Sequence, residues 1–147
     1  MEIVELHSLS HHQVAEIQQL MKELAPDIKV SAEILERVVA SHDTHLFAAF
    51  DNDSHIVGCA TLCVFDSPTG RKASVEDVVV LSLYRGQGLG KRLMEHLIDY
   101  ARENLGDMDL HLTSHPTRVA ANALYQSLGF EKRNTNFYRM KIRKSVV

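Results

Sequence analysis

Two segments near the start of the chain carry apolar residues at helical spacing. Residues 14–24 place them three or four positions apart, and residues 34–39 form a second such stripe. This spacing collects apolar side chains on one face of an α-helix. Ser10 and Ser31 precede the two segments, and serine is a preferred N-cap residue. The pattern therefore predicts two helices, after a short first strand at residues 3–6.

Three longer apolar runs follow and are typical of β-strands. They occupy residues 45–51, 55–65 and 71–81, separated by the turn-forming sequences DNDS and DSPTG. Connections this short join antiparallel strands. The runs therefore predict an antiparallel meander.

Helices and strands alternate in the rest of the chain. Residues 90–104 and 119–128 have helical patterns, with strands predicted at residues 108–113, 130–132 and 137–142. The predicted order is βααβββαβαββ. A strand–helix–strand crossover that follows a meander indicates a mixed α+β fold.

Composition and charge narrow the class of protein. The chain has 147 residues, of which 45% are hydrophobic and 24% charged, and no repeat or linker divides it, so we predict one domain over residues 1–147. The net charge of -3 argues against a nucleic-acid binder. No membrane helix or signal peptide is visible. Cys59 and Cys63 lie too far apart in one predicted strand for a disulfide, so we expect a cytoplasmic protein.

The end of the chain is basic. Residues 131–147 hold six basic side chains and one acidic side chain. A basic tail attracts anionic ligands, and basic side chains also keep an edge strand soluble. Both interpretations stay open.

A glycine-rich loop, RGQGLGK at residues 85–91, joins a predicted strand to a helix. Glycine permits a tight turn, and the free N–H groups at a helix start favour an anion such as pyrophosphate. The spacing excludes a P-loop, because only three residues separate Gly86 from Gly90 and Arg92 follows Lys91. It also fails the GxGxxG pattern of dinucleotide-binding loops.

Two signatures resemble those of the GNAT acyl-CoA N-acyltransferases. The loop matches the family motif Gln/Arg-x-x-Gly-x-Gly/Ala, and NALYQSLGF at residues 122–130 is similar to the second family signature. The resemblance extends along nearly the whole chain in element order. The stretch at residues 75–91 is particularly similar to glucosamine-6-phosphate N-acetyltransferases. One departure is Ser82, where many members have a proline that would only stiffen the approach to the loop.

The resemblance implies a three-layer GNAT-like fold, whose mostly antiparallel central sheet has two splayed parallel strands. Acetyl-CoA would lie between the strands around residues 75–81 and 108–113. Its pantetheine arm would pair with the first strand as an added strand does, and its pyrophosphate would lie on the loop. The implied cofactor-binding residues are Val78, Val79, Val80, Arg85, Gly86, Gln87, Gly88, Leu89, Gly90, Lys91 and Asn122.

The implied reaction is direct attack of a primary amine on the thioester in a ternary complex. Strand N–H groups near Val78 are candidate oxyanion donors. Tyr125 matches the family tyrosine near the sulfur and is the candidate general acid, unless it is a core aromatic residue. Asn122 lies one turn earlier on the same face. It would bond the pantetheine arm, unless it is simply exposed to solvent.

Glu76 and Asp77 are candidates for removing the proton of the ammonium substrate. Strand alternation predicts that they point to opposite faces, so only one faces the acceptor, and we favour Glu76. Water can relay the proton instead, and both acids would attract a cationic amine in either case.

The nine histidines show no HExxH or Cys/His spacing, so no metal is expected. His111, on the second cleft strand, is a candidate for acceptor contact. Arg118 would contact a CoA phosphate or solvate the start of the last helix.

Two functions of different classes fit the sequence. One is an N-acetyltransferase for a small-molecule or peptide amine, and the other is a non-catalytic acyl-CoA-binding sensor or partner module. The sequence does not specify the amine. Family members often form homodimers through their last strands, so we expect one through residues 137–142, and no nucleic-acid or membrane partner.

Overall fold

The structure is a computed structural model in which residues 1–145 are described. The chain divides into two compact units, Met1–Thr113 and a second unit that begins at Ser114. A single domain over residues 1–147 stays a prediction. No helix in the described part of the chain is long and apolar enough to span a bilayer.

The first unit contains five strands, three α-helices and a short 3-10 helix. In chain order they are β1 Glu2–Leu6, α1 His11–Leu24, α2 Ala32–Ala40, β2 Thr44–Phe50, β3 Ile56–Ser67, β4 Gly70–Val80, the 3-10 helix Ser82–Tyr84, α3 Leu89–Asn104 and β5 Asp109–His111. The two predicted N-caps are confirmed. Ser10 Oγ accepts a hydrogen bond from the Gln13 N–H, and Ser31 Oγ accepts one from the Ile34 N–H.

The strands form one five-stranded sheet in the order β1-β2-β3-β4-β5. The pairs from β1 to β4 are antiparallel, which confirms the meander, and β5 runs parallel to β4 after the crossover through α3. The mixed α+β fold class is therefore confirmed.

Helices cover both faces of this sheet. Leu46 and Ala48 of β2 belong to the apolar cluster that includes Ile17 of α1 and Leu35 of α2. Phe47, between them, instead places its ring edge-on to Tyr100 of α3, with ring centroids 5.3 Å apart. Because neighbouring strand residues face opposite ways, β2 lies between two helical layers, as the three-layer fold requires.

The second unit has a single α-helix within the described residues, α4 Val119–Ser127. Residues 129–145 form neither helix nor strand, so the strands predicted at 130–132 and 137–142 are wrong. An alternating pattern gives strand propensity, but a strand also needs hydrogen-bonded neighbours and a buried face. Instead, Phe137 is 75% and Tyr138 85% exposed.

Candidate active site

The parallel strands β4 and β5 diverge soon after they meet. Their ladder joins residues 72–74 of β4 to all of β5, which ends at His111. β4 continues to Val80, and within residues 1–145 no strand pairs with it on this side beyond Ser74. An unpaired strand edge presents N–H and C=O groups to an added extended ligand.

The predicted pantetheine segment lies on this last part of β4. Val79 and Val80 pair with Cys59 and Gly58 of β3, so the opposite edge of the segment is the free one. Val79 is buried, and Val78 and Val80 are partly exposed.

The glycine-rich loop leaves a row of backbone donors free. Gly86 and Gly88 have φ angles of 78° and 77°, in the left-handed region that favours glycine. No atom lies within 4 Å of where their Cβ atoms would be. Within residues 1–145 the N–H groups of residues 86–91 donate no hydrogen bond. They meet the positive end of the α3 dipole, which makes an anion site.

Arg85 holds the loop in place. Its Nε donates to the Val80 carbonyl at 3.0 Å, and its Nη2 lies 3.1 Å from Glu23 Oε2. Its own N–H bonds the Ser82 carbonyl at 3.3 Å, unlike the free N–H groups that follow it. The guanidinium therefore joins three segments: the end of β4, the loop and α1.

Ser82, where the family often has proline, anchors the same region to α1. Its N–H donates to Glu23 Oε2 at 3.1 Å and its Oγ to Glu23 Oε1 at 3.3 Å. A proline has no N–H and no hydroxyl, so it would lose both bonds. Sequence reasoning missed Glu23, because α1 is separated from the loop by about 60 residues and no motif marks it.

A β-bulge places the two candidate bases. Glu76 pairs with Thr61 and Val79 with Cys59, so Asp77 and Val78 together oppose a single β3 residue. Asp77 adopts φ 52°, in the left-handed region. Such a bulge interrupts the alternation that predicted opposite faces for the two acids, and both are exposed.

The environments of the two carboxyl groups differ. Partial burial, and then the negative charge of Glu76, raise the pKa of Asp77. Ser74 Oγ donates to Glu76 Oε1 at 2.5 Å. The pair therefore offers one carboxyl group that accepts a hydrogen bond from a hydroxyl and one whose pKa is raised.

Asn122 and Tyr125 lie in the second unit, one turn apart on α4. Asn122 Nδ2 donates to the His115 carbonyl at 3.1 Å, which closes the turn before the helix. Tyr125 is 7% exposed, and its ring lies edge-on to Phe130 with centroids 6.2 Å apart.

His111 and Arg118 are both exposed. His111 is the last residue of β5 and pairs with Ser74. Arg118 is the N-cap residue of α4 and makes no side-chain cap.

Comparison with known proteins identifies the family to which the chain belongs. The profile of the family described as the acetyltransferase (GNAT) family matches residues 11–130. The chain is 31% identical over 118 residues to N-acetyltransferase family 8 member 2 of Rattus norvegicus, an alignment that covers 79% of this chain and 50% of that protein. The chain spans about half the length of the curated relatives it matches.

Two solved structures share the fold. Glucosamine-6-phosphate N-acetyltransferase from Arabidopsis thaliana has a TM-score of 0.72 at 19% identity, covering 95% of this chain and 97% of that one. AAC(6')-Iy, in complex with the bisubstrate analogue CoA-S-monomethyl-acetylneamine, has a TM-score of 0.76 at 20% identity, covering 96% and 98%.

Proposed function

Because the chain belongs to the GNAT acetyltransferase family, we propose that it is an N-acetyltransferase that moves an acetyl group from acetyl-CoA to a primary amine. The observation that carries this proposal is the free row of N–H groups at residues 86–91, which directly follows the unpaired edge of β4. The two features suit the two polar parts of CoA, the pyrophosphate and the pantetheine arm.

The two features lie close together in the first unit. A Cβ on Gly90 would be 4.0 Å from Val80 Cγ2, so the start of α3 packs against the end of β4. Arg85 bonds the Val80 carbonyl and fixes the turn between them. We propose that the pantetheine arm pairs along Val78, Val79 and Val80 while the pyrophosphate binds residues 86–91.

Direct attack by the amine is favoured over an acetyl-cysteine intermediate. The two cysteines, Cys59 and Cys63, are free, but burial and then Asp77 raise the pKa of Cys59 to about 12. Burial, and then Glu76 and Asp77, also raise the pKa of Cys63. The thiolate is the nucleophilic form of cysteine, so both thiols are poor nucleophiles at neutral pH.

The proton of the ammonium substrate would leave through the acidic pair on the bulge. We propose Glu76 as the residue that accepts it, directly or through water, with Asp77 adding negative charge that attracts the cation. Strand N–H groups near Val78 would stabilise the oxyanion. The pair therefore supports an amine acceptor, but it sets only the class of acceptor, a small-molecule or peptide amine.

Tyr125 would protonate the leaving thiolate and Asn122 would bond the pantetheine arm. These roles rest on their match to the second family signature. Tyr125→Phe removes only the hydroxyl, so we expect turnover to fall at least about 100-fold, the usual contribution of a general acid. The acetyl-CoA Kd should change less than about twofold. Tyr138→Phe, at an exposed tyrosine of the same unit, is the matched control.

Thermal unfolding with acetyl-CoA tests the cofactor first, with NADH and ATP as controls. At about 100 times its Kd a ligand adds roughly 2.7 kcal/mol of stability, which raises Tm by at least about 5 °C for a domain of this size. Release of free thiol with a panel of amines then tests catalysis. Stabilisation by acetyl-CoA with equal, negligible turnover in wild type and Tyr125→Phe would identify the non-catalytic acyl-CoA-binding module instead.

A further inference from the structure

Two histidines and a glutamate meet where the start of α1 packs against the turn between β2 and β3. His12 and Glu16 lie one turn apart on α1, and His55 ends the turn. His55 Nδ1 is 3.1 Å from Glu16 Oε2, and His12 Nε2 is 3.5 Å from Glu16 Oε1. One nitrogen or oxygen atom from each residue lies within 4.8 Å of those of the other two.

These separations suit a tetrahedral metal ion. Zinc binds histidine nitrogen at about 2.0–2.1 Å and carboxylate oxygen at about 2.0–2.2 Å, so neighbouring donors of a tetrahedron lie about 3.4 Å apart. The imidazole nitrogens lie 3.1 Å and 3.5 Å from the two different oxygens of the Glu16 carboxylate, and one donor atom from each of the three residues lies within 4.8 Å of the other two.

Glu16 provides an independent indication of a ligand. Its Oε2 is held by the Ile56 N–H at 3.1 Å, and its side chain is 15% exposed. Its Oε1 is buried and has no hydrogen-bond partner within the described residues. A buried acceptor without a partner costs free energy. A cation between this oxygen and His12 Nε2 would satisfy it.

The third ligand is also held in place. The His55 N–H donates to Asp51 Oδ1 at 2.9 Å, which fixes the turn that carries the imidazole. Asp51 in turn accepts a hydrogen bond from the Tyr84 hydroxyl at 3.1 Å. These bonds hold the backbone that carries the imidazole, not the imidazole itself.

We propose that His12, Glu16 and His55 bind a divalent transition-metal ion, with Zn²⁺ as the best fit. Two imidazoles and one carboxylate suit Zn²⁺ or Co²⁺ far better than Mg²⁺ or Ca²⁺, which prefer oxygen ligands. The histidine side chains are 69% and 53% exposed, so the ion can exchange and water can complete its coordination. Histidine spacing predicted no metal, because His55 lies 39 positions from Glu16.

Calorimetry and thermal unfolding on the chelator-treated 147-residue chain test the proposal, with ZnCl₂, CoCl₂, MgCl₂ and CaCl₂ as probes. We expect one Zn²⁺ per chain, a Tm raised by at least about 5 °C at 100 times Kd, and visible absorption of tetrahedral Co²⁺. His12→Ala and His55→Ala should each weaken Zn²⁺ binding at least 10-fold. Both side chains are exposed, so the variants should stay folded.

Two matched controls locate the site. His11→Ala changes the neighbouring histidine on α1, and His42→Ala changes a fully exposed histidine beside Asp43. Both should bind Zn²⁺ as the wild type does. The proposal is overturned if Zn²⁺ does not bind at 100 µM, if a control weakens binding as much as His12→Ala, or if Mg²⁺ binds equally well. Acetyl-CoA stabilisation is measured separately, so this result does not depend on the proposed activity.

Discussion

The contact between Glu23 and the segment before the glycine-rich loop gives the sharpest prediction. Glu23→Ala removes the acceptor of three hydrogen bonds, from the Ser82 N–H, the Ser82 hydroxyl and the Arg85 guanidinium. Within residues 1–145, Glu23 makes the only ion pair between α1 and this segment. The change therefore tests how the loop is held without altering the loop itself.

The expected loss of stability depends on how exposed the interacting side chains are. The Arg85 side chain is 56% exposed and that of Glu23 26%, so their ion pair is worth at most about 1 kcal/mol after solvent screening. The two bonds from Ser82 add about 0.5–1.5 kcal/mol each. We expect Glu23→Ala to lower the free energy of unfolding by about 1–4 kcal/mol. A less ordered loop should also raise the acetyl-CoA Kd by about 5- to 10-fold.

Urea unfolding and acetyl-CoA titration provide the two measurements. Glu36→Ala, at an exposed glutamate of α2, controls for the loss of a surface carboxylate, and Glu23→Gln should retain part of the Ser82 bonding. The reasoning would be refuted if Glu23→Ala were no less stable than Glu36→Ala and bound acetyl-CoA equally well.

Three further predictions concern backbone and charge. Gly88→Ala places an alanine at φ 77° without a clash. The left-handed conformation costs roughly 1–2 kcal/mol, so titration should show acetyl-CoA binding weakened about 5- to 30-fold. Gly70→Ala, which is strained in a distant turn, should lower stability without weakening acetyl-CoA binding. Asp77→Asn removes a carboxyl group whose pKa is raised in the folded state. The wild type therefore loses stability as the pH rises and this group ionises. Urea unfolding should show that the variant is more stable than the wild type at pH 7 but not at pH 3. Gly58→Ala would put a Cβ 3.1 Å from Leu93 Cδ1 and 3.2 Å from the Val79 carbonyl oxygen, so thermal unfolding should show a loss of about 1–3 kcal/mol.

Local features of the structure were predictable from sequence. The caps at Ser10 and Ser31 depend on bonds within one turn, and the loop at residues 86–91 carries its conformation in its own glycines. The meander followed from short turns between apolar runs. Each of these features depends on residues that are close together in the sequence, so local sequence pattern and conformational propensity are enough to predict it.

Features that depend on distant partners were not predictable. The bulge at Asp77 lies within the strand-like sequence VEDVVV at residues 75–80, and nothing in that sequence marks where β4 shifts register against β3. The bond from Arg85 to Glu23 spans 62 positions. Residues 137–142 show the opposite failure, because they carry a strand pattern but no strand partner is available to them within residues 1–145.

The hydrogen bonds from Ser82 and Arg85 to Glu23 affect whether the proposed cofactor-binding segment can be transferred into a related protein. If a chimera took residues 75–104 from this chain and α1 from a relative without a glutamate at the position of Glu23, its Ser82 would have no carboxylate to receive its two donors. A transplant should therefore move Glu23 with the segment, or restore proline at position 82. The segment and α1 should therefore be exchanged together between related proteins, although they are far apart in the sequence.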